Sequence, residues 1–464
     1  MNRRNFIKTV AGAAPYIITS AALGNAHAAA ASDRITVGFI GTGIRGGNGL
    51  IKNFLAQDDC QCVAVCDPFR DRREKHAKQI NDFYAGKSGA ATYKSAEMIA
   101  DFRDLLHRAD VDAVCIATPD HWHVPILAAA ARAGKDVYVE KPICVAVEEG
   151  MKMVEAARKY KRVVQVGLWQ RSNLHFQKAA ELVQNGMLGK VSFVRTWNYD
   201  NIYPDGIGNP PDADPPAGLD WDMWLGPAPK VPYNWNRFGV GDRWSTFRYF
   251  YDYANGWPGD WAVHLMDIVQ WAMKTEGPTT ITALGTKYYI KDNADIPDTL
   301  QITWEYPTFV ATYENRLCNA NSMYKHEYGI EFHGTDGTMF LDREGFQVFP
   351  ELTAQRDYRE VHGNNPRGEE RELGKTPSMK MERVDDGLLR HVGNMLDCMR
   401  TRKTPQTDIE YGHRSTSACL LGNVALRSKE RLEWDVANQK LLKGGPAAQK
   451  LIGREYRAPW KLTV

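Results

Sequence analysis

Several features are scarce or missing in this chain. None of its 464 residues belong to an apolar run long enough to cross a bilayer comfortably. There is no internal repeat, no low-complexity tract beyond the N-terminal segment and no long basic run. Lys and Arg together number 58 against 56 Asp and Glu, a formal net charge of +2, so neither the whole chain nor any stretch of it carries the footprint of nucleic-acid binding. Cysteine is sparse. The eight are scattered, Cys62, Cys66 and Cys115 lie inside strand-like apolar runs, and the pattern excludes a disulfide framework. Cys60-x-Cys62 lacks the second ligand pair that a zinc site needs. What remains, 43% hydrophobic and 25% charged, is ordinary for a soluble chain of two domains with a substantial core.

Residues 1–28 read as a targeting segment rather than as fold. Arg3-Arg4-Asn5-Phe6-Ile7-Lys8 precedes a mildly apolar stretch, and Ala26-His27-Ala28 supplies a small-x-small cleavage site, as in a bacterial twin-arginine signal. The alternative, a membrane anchor, is opposed by Gly12, Pro15 and Gly24. The expected location is periplasmic, reached by a folded chain that acquires its cofactor in the cytoplasm.

The organising stretch is Ile35 to Gly46, where a β-branched run ends in Gly41-Thr42-Gly43-Ile44-Arg45-Gly46 and an apolar-periodic segment follows. Strand, tight turn and helix in that order make a dinucleotide site. Gly41 permits the turn, Gly43 admits a pyrophosphate to the backbone and Gly46 allows close helix packing. The next strand ends in Asp67, 21 positions after Gly46, placed to accept the adenosine ribose hydroxyls. Its carboxylate favours NAD over NADP, a preference that Arg70, Arg72 and Arg73 would soften.

Strand and helix signals then alternate through Ala113–Ala117, Asp136–Val139 and Val163–Val166, predicting a parallel sheet in a first domain of residues 33–189. From Val191 the period becomes two and recurs in Thr280–Ile290, Leu300–Tyr306, Phe309–Glu314 and Gly329–Phe349. That predicts an open, mostly antiparallel sheet with one covered face, in a second domain of residues 190–434 whose late helices return to the first; 435–464 is a tail. The fold class is therefore α/β, an N-terminal Rossmann domain followed by an α+β domain. A Trp-rich insertion, Tyr203 to Trp257, interrupts the second domain. Its rings suit the apolar side of a sugar, or else pin a long loop. Thr353 to Met381, charged and poor in hydrophobics, reads as a surface excursion.

Three constellations point to hydride transfer. Thr118-Pro119-Asp120-His121-Trp122-His123 follows a strand's carboxyl end and should lie over the cofactor, and its His-x-His pair has no third metal ligand at recognisable spacing. Glu140-Lys141-Pro142 sits at the next strand end, where Lys141 can stabilise a developing alkoxide. Asp260, His264 and Asp267 project from one face of an otherwise apolar helix, a polar stripe that is costly to bury unless it is used or paired. A histidine there can take a hydroxyl proton; the bland alternative is a capped helix with one satisfied core histidine.

Together these marks resemble the Gfo/Idh/MocA oxidoreductases, the family of glucose-fructose oxidoreductase and inositol dehydrogenase, from about Ile35 to Trp434. The resemblance implies an open-sheet second domain that mediates homo-oligomers, dimers or tetramers, and sugar or polyol substrates. It implies Lys141, His264 as acid/base and Asp260 as orienting group for catalysis, and Gln170-Arg171 as a loop beside the substrate. Tyr199, ending the first alternating strand, joins Gln170, Arg171, Asp260 and His264 among the substrate-binding candidates. The cofactor set is Gly41, Gly43, Ile44, Arg45, Gly46, Asp67, Arg70, Thr118, Pro119, His121, His123, Glu140 and Lys141, with no metal. The insertion and the signal look like the family's secreted carbohydrate-processing branch. The expectation is an NAD-dependent oxidoreductase that takes hydride from a ring hydroxyl of a sugar or glycoside, with the 3-position attractive. Redox-neutral glycoside hydrolysis and non-catalytic sugar binding are the alternatives, and neither nucleic acid nor membrane is a partner.

Overall fold

The computed structural model describes residues 34–89, 96–239, 245–322, 325–352, 374 and 376–464. The targeting segment, Trp244 of the insertion and most of the charged excursion after Thr353 lie outside the described residues.

Short β-branched and cysteine-containing runs form the first sheet: β1 (Ile35–Ile40), β2 (Cys60–Cys66), β3 (Glu97–Ile99), β4 (Ala113–Ile116), β5 (Asp136–Val139) and β6 (Val164–Val166). All pairs are parallel, in the order β3-β2-β1-β4-β5-β6. Helices cover both faces, so the strands read as continuous apolar runs. The order reverses between β1 and β4. Their carboxyl ends therefore part and leave a crevice at the loops after Ile40 and Ile116.

The second sheet has ten strands: β7 (Val191–Tyr199), β8 (Thr280–Thr286), β9 (Thr299–Glu305), β10 (Val310–Arg316), β11 (Tyr328–Gly334), β12 (Gly337–Leu341), β13 (Gly345–Pro350), β14 (Met379–Glu382), β15 (Leu432–Asp435) and β16 (Lys440–Lys443). They run in the order β14-β13-β12-β11-β7-β10-β9-β8-β15-β16. Only β7 and β10 pair in parallel. Alternation predicts which side chains face inward but carries no information on neighbours, so this central parallel pair emerges only from the fold. One face takes the helices Val263–Ala272 and Ile409–Ser428, while Leu284 on the other face is 80% exposed.

The helix Ile409–Ser428 joins the two sheets. A Cβ on Gly412 would lie 2.5 Å from Val166 of β6, and one on Gly422 would lie 2.6 Å from Ile302 of β9, so the missing side chains allow both close approaches. Trp304 Nε1 of β9 donates to the Ala418 carbonyl at 2.9 Å.

The insertion has its own apolar core, including Trp224, Tyr253 and Trp257. It is stitched to the first domain by backbone: Arg70 N donates to Gly218 O and Asp220 N to Pro68 O. The tail crosses both. Arg457 donates to the carbonyls of Gly226 and Ala228, and Trp460 packs edge-on against Trp122 at 4.7 Å. The insertion is thereby fixed against the open end of the parallel sheet.

Candidate active site

The turn after β1 is as tight as its glycines allow. Gly41 has φ +84°, and a Cβ there would stand 2.6 Å from the Thr118 amide; at Gly46 a Cβ would stand 2.1 Å from the Gly41 carbonyl oxygen. Near Gly43 a Cβ would meet only the Arg72 guanidinium. Its backbone faces a cleft lined also by Ile44, Arg45, Asp67, Thr118, Pro119, Glu140 and Lys141. Arg45 Nη2 and Thr118 Oγ1 are buried there without partners among the described residues. At one end, Thr42 N donates to Asp67 Oδ2 at 2.8 Å and Phe69 N to Oδ1 at 3.0 Å. Thr42 Oγ1 makes a third, longer contact to Oδ2 at 3.5 Å, and the remaining acceptor capacity of the carboxylate is open to a ribose hydroxyl. Glycine cradle, orphaned donors and fixed acid fit a dinucleotide.

The insertion supplies the opposite wall through Trp224, Phe238, Phe247 and Arg248. Three cofactor assignments change as a result. Arg70 turns toward Gly218, and of the arginines that follow Asp67 it is Arg72 that lines the cleft, its guanidinium 4.6 Å from the Phe238 ring. His121 Nε2 is 3.2 Å from the Trp224 carbonyl, which also accepts from Trp122 Nε1. His123 lies between the carbonyls of Pro142 and Thr118. Burial lowers both histidines, His121 to about 3 and His123 to about 4, so both are neutral and hold the loop rather than the cofactor. Alternating apolar sequence cannot foretell this, because the insertion that captures His121 is some hundred positions away.

At the carboxyl end of β5, Glu140 Oε1 accepts from Arg45 Nε at 2.6 Å. Lys141 Nζ donates to Asp260 Oδ1 and to the Asp260 carbonyl, each at 2.7 Å, and Arg248 Nε reaches the same Oδ1 at 2.8 Å. Burial alone would raise Asp260, but the two cations outweigh it and lower it to about 2. His264 begins the second turn of the same irregular segment, Pro258–Ala262 running into Val263–Ala272. Among the described residues no hydrogen-bond partner meets its ring, and Nδ1 is buried. Burial, reinforced by Lys141, Arg343 and Arg45, lowers it well below the usual histidine range. It is a neutral base beside a cation.

Sequence reasoning passed over three groups here. Asp120 lines the cleft, and burial raises it to about 8 against the pull of Arg248 and Lys141, so it is protonated at neutral pH. It stood in the loop motif, where nothing distinguished it from a turn residue. Arg248 comes from the insertion. Arg343, on the turn between β12 and β13, packs over Trp169, Trp261 and Tyr328. Neither had a local signal.

Two substrate candidates are engaged elsewhere. Arg171 makes a bidentate pair with Asp267 at 2.7 and 2.8 Å, and Ser415 Oγ donates to the same carboxylate. Asp267 thus belongs to the polar stripe but serves packing. Breaking a buried pair leaves an uncompensated charge, so Asp267→Ala should cost about 3–5 kcal/mol in urea unfolding while the folded fraction keeps its KM for sugar. A raised KM at unchanged stability would return the pair to the substrate site. Tyr199 donates its hydroxyl to Glu314 Oε2 at 2.8 Å beneath Arg316, outside the cleft lining. Gln170 remains in the neighbourhood, its Oε1 3.4 Å from Arg343. Among the described residues no group of His, Cys, Asp or Glu could hold a metal ion. Among the insertion's described tryptophans, Trp224 and Trp257 are buried and pin it down, Trp221 is half-buried, and Trp235 is markedly exposed.

Two family models match this chain: the oxidoreductase family NAD-binding Rossmann fold over residues 35–168 and the oxidoreductase family C-terminal alpha/beta domain over 172–308. A glycosyl hydrolase family 109 protein of Saccharopolyspora erythraea is 35% identical over 164 residues, 35% of this chain and 34% of that protein. Its counterpart in Shewanella pealeana is 29% identical over 211 residues, 41% and 44% of the two chains. The alignments thus span between about a third and under half of the curated relatives' length. Among solved structures, aldose-aldose oxidoreductase of Caulobacter crescentus complexed with glycerol aligns with TM-score 0.60 at 17% identity, covering 86% of this chain and 99% of that one. A levoglucosan dehydrogenase in complex with NADH and levoglucosan aligns with TM-score 0.59 at 16% identity and the same coverage. At such identities the likeness is one of fold.

Proposed function

The chain belongs to the Gfo/Idh/MocA oxidoreductase family, with an NAD-binding first domain, and from that premise we propose that it oxidises a ring hydroxyl of a sugar or glycoside. The observation that carries this reading is His264, neutral and, among the described residues, without a hydrogen-bond partner beside the Lys141–Asp260 pair. Bound NAD supplies the hydride acceptor. His264 takes the hydroxyl proton through a ring nitrogen, and the C–H bond breaks with its electron pair leaving as hydride, so that the carbinol becomes a carbonyl. Lys141 offers a fixed positive charge to the oxygen as charge develops on it. Asp260, ionised by its two cations, keeps that ammonium in place. The 3-hydroxyl is the favoured position, since a ketone there acidifies the neighbouring C–H.

That acidity opens the second reading, redox-neutral glycoside cleavage by oxidation, elimination and re-reduction. It is favoured by the partial relatives named glycosyl hydrolase family 109 and by Asp120, a protonated carboxylic acid on the cleft wall. The twin-arginine-like residues 1–28 support export of the folded, loaded chain to the periplasm, and the bare face of the second sheet supports a homo-oligomer.

The deciding experiment titrates neutral sugars and aryl glycosides into the protein as purified and follows the near-ultraviolet band of reduced nicotinamide together with released aglycone. A rise of about one equivalent per chain supports net oxidation. Aglycone release without lasting reduction supports the cleavage reading. Neither signal, even with added NAD, would sink both.

A further inference from the structure

Arg343 occupies the tip of the β12–β13 hairpin, a place where a basic side chain ordinarily points into water. Here the tip is fixed. Asp342 Oδ1 accepts from the amides of Glu344 and Gly345 at 2.8 and 3.1 Å, Asp342 Oδ2 lies 2.9 Å from His326 Nδ1, and the Asp342 carbonyl lies 3.1 Å from His175 Nε2. The Arg343 guanidinium is consequently directed inward. Its carbon lies 4.5 Å from the ring centre of Trp261, 5.0 Å from Trp169 and 5.7 Å from Tyr328. Trp261 in turn lies 6.4 Å from the His264 ring, so one indole touches both the candidate base and this cation.

The cation is poorly compensated. Among the described residues no carboxylate stands within 4 Å of it, Nε is buried without a partner, and its one polar contact is a long 3.4 Å bond to Gln170. Burial lowers Arg343 from the usual guanidinium range, Tyr328 and Asp260 oppose that effect, and the Arg45 and Arg383 cations add to it. Nearby acids are already taken, Glu140 by Arg45 and Asp260 by Lys141 and Arg248. The aromatic faces stabilise the half-buried guanidinium but offer its in-plane N–H edges no acceptor, which leaves those edges for an anionic ligand to complete. A planar guanidinium with free N–H edges matches an oxyanion bidentately, while the ring faces suit the apolar side of a pyranose.

Resting on the sugar-oxidation reading, we propose that the substrate is an acidic sugar, bearing a carboxylate or sulfate that Arg343 receives while His264 faces a ring hydroxyl. Arg343 is then a specificity residue; it touches no reacting atom.

The test is equilibrium binding by isothermal titration to the protein as purified. Matched methyl glycosides in the gluco, galacto and manno series are compared as neutral sugar, uronate and 6-sulfate, with wild type, Arg343→Lys and Arg343→Ala. Charge-assisted hydrogen bonds predict that one acidic member binds about thirty-fold tighter than its neutral partner. Arg343→Ala should erase that difference, Arg343→Lys should keep part of it, and the salt dependence of binding should vanish in the alanine variant. Uronate and sulfate arms tell which oxyanion is taken. Equal or tighter binding of neutral members, with Arg343→Ala shifting both alike, overturns this proposal and leaves sugar oxidation standing. Failure of every member of every series to bind overturns both.

Discussion

His264→Ala should lower kcat about 10²- to 10⁴-fold, the usual contribution of a positioned general base, while sugar affinity and cofactor content stay near wild type. The expectation follows from what surrounds the ring. Among the described residues it has no hydrogen-bond partner, and it is kept neutral by burial and by Lys141, Arg343 and Arg45. Removing it therefore breaks no hydrogen bond among the described residues, and the cost to the fold is lost packing, in part against Trp261. Because its acidity is displaced well below the ordinary histidine range, kcat in wild type should not show the fall near pH 6.5 that an exposed histidine base would give. His264→Gln preserves the volume and should be as inactive as the alanine variant. Retention of more than a tenth of wild-type kcat in both variants, with normal cofactor content, would move the base elsewhere.

The second large effect is on stability. Wild-type unfolding free energy should fall by about 2–4 kcal/mol per pH unit between about pH 6 and 4.5. Burial holds His121 at about 3 and His123, His391 and His413 at about 4 in the folded chain. Unfolded histidine titrates near 6.5. Below that value the unfolded chain binds protons that the folded chain refuses, so the stabilisation is present above about 6.5 and is lost as pH falls toward the folded values. Asp120 acts with opposite sign. It is protonated when folded up to about 8, so its contribution is fullest below the unfolded carboxyl value and declines as pH rises, which offsets about one histidine and puts maximum stability near neutrality. Urea unfolding at a series of pH values measures the slope. A flat profile from pH 7 to 5 would mean that these rings gain solvent or partners when protonated.

How much was legible can be judged residue by residue. Gly41, Gly43, Gly46 and Asp67 were readable because their roles depend on backbone freedom and strand ends, which neighbours in sequence dictate. Lys141 and the Asp260–His264 spacing were readable because a polar stripe on an apolar helix is costly to bury. The same logic marked Asp267 without saying whether use or pairing explained it. Pairing with Arg171 does.

The sequence by itself determined the period of each strand and helix, the glycine turn and which residue types stood at strand ends, since these are local consequences of side-chain size and polarity. Only tertiary structure decided that the insertion closes over the cleft, that β7 and β10 run in parallel, that Arg72 and Arg248 rather than Arg70 and Arg171 line the cleft, and that Arg343 stacks on Trp261. The physical reason is reach. A guanidinium extends several ångströms from its backbone, and its destination depends on which distant carboxylate or ring is within range once the chain has packed.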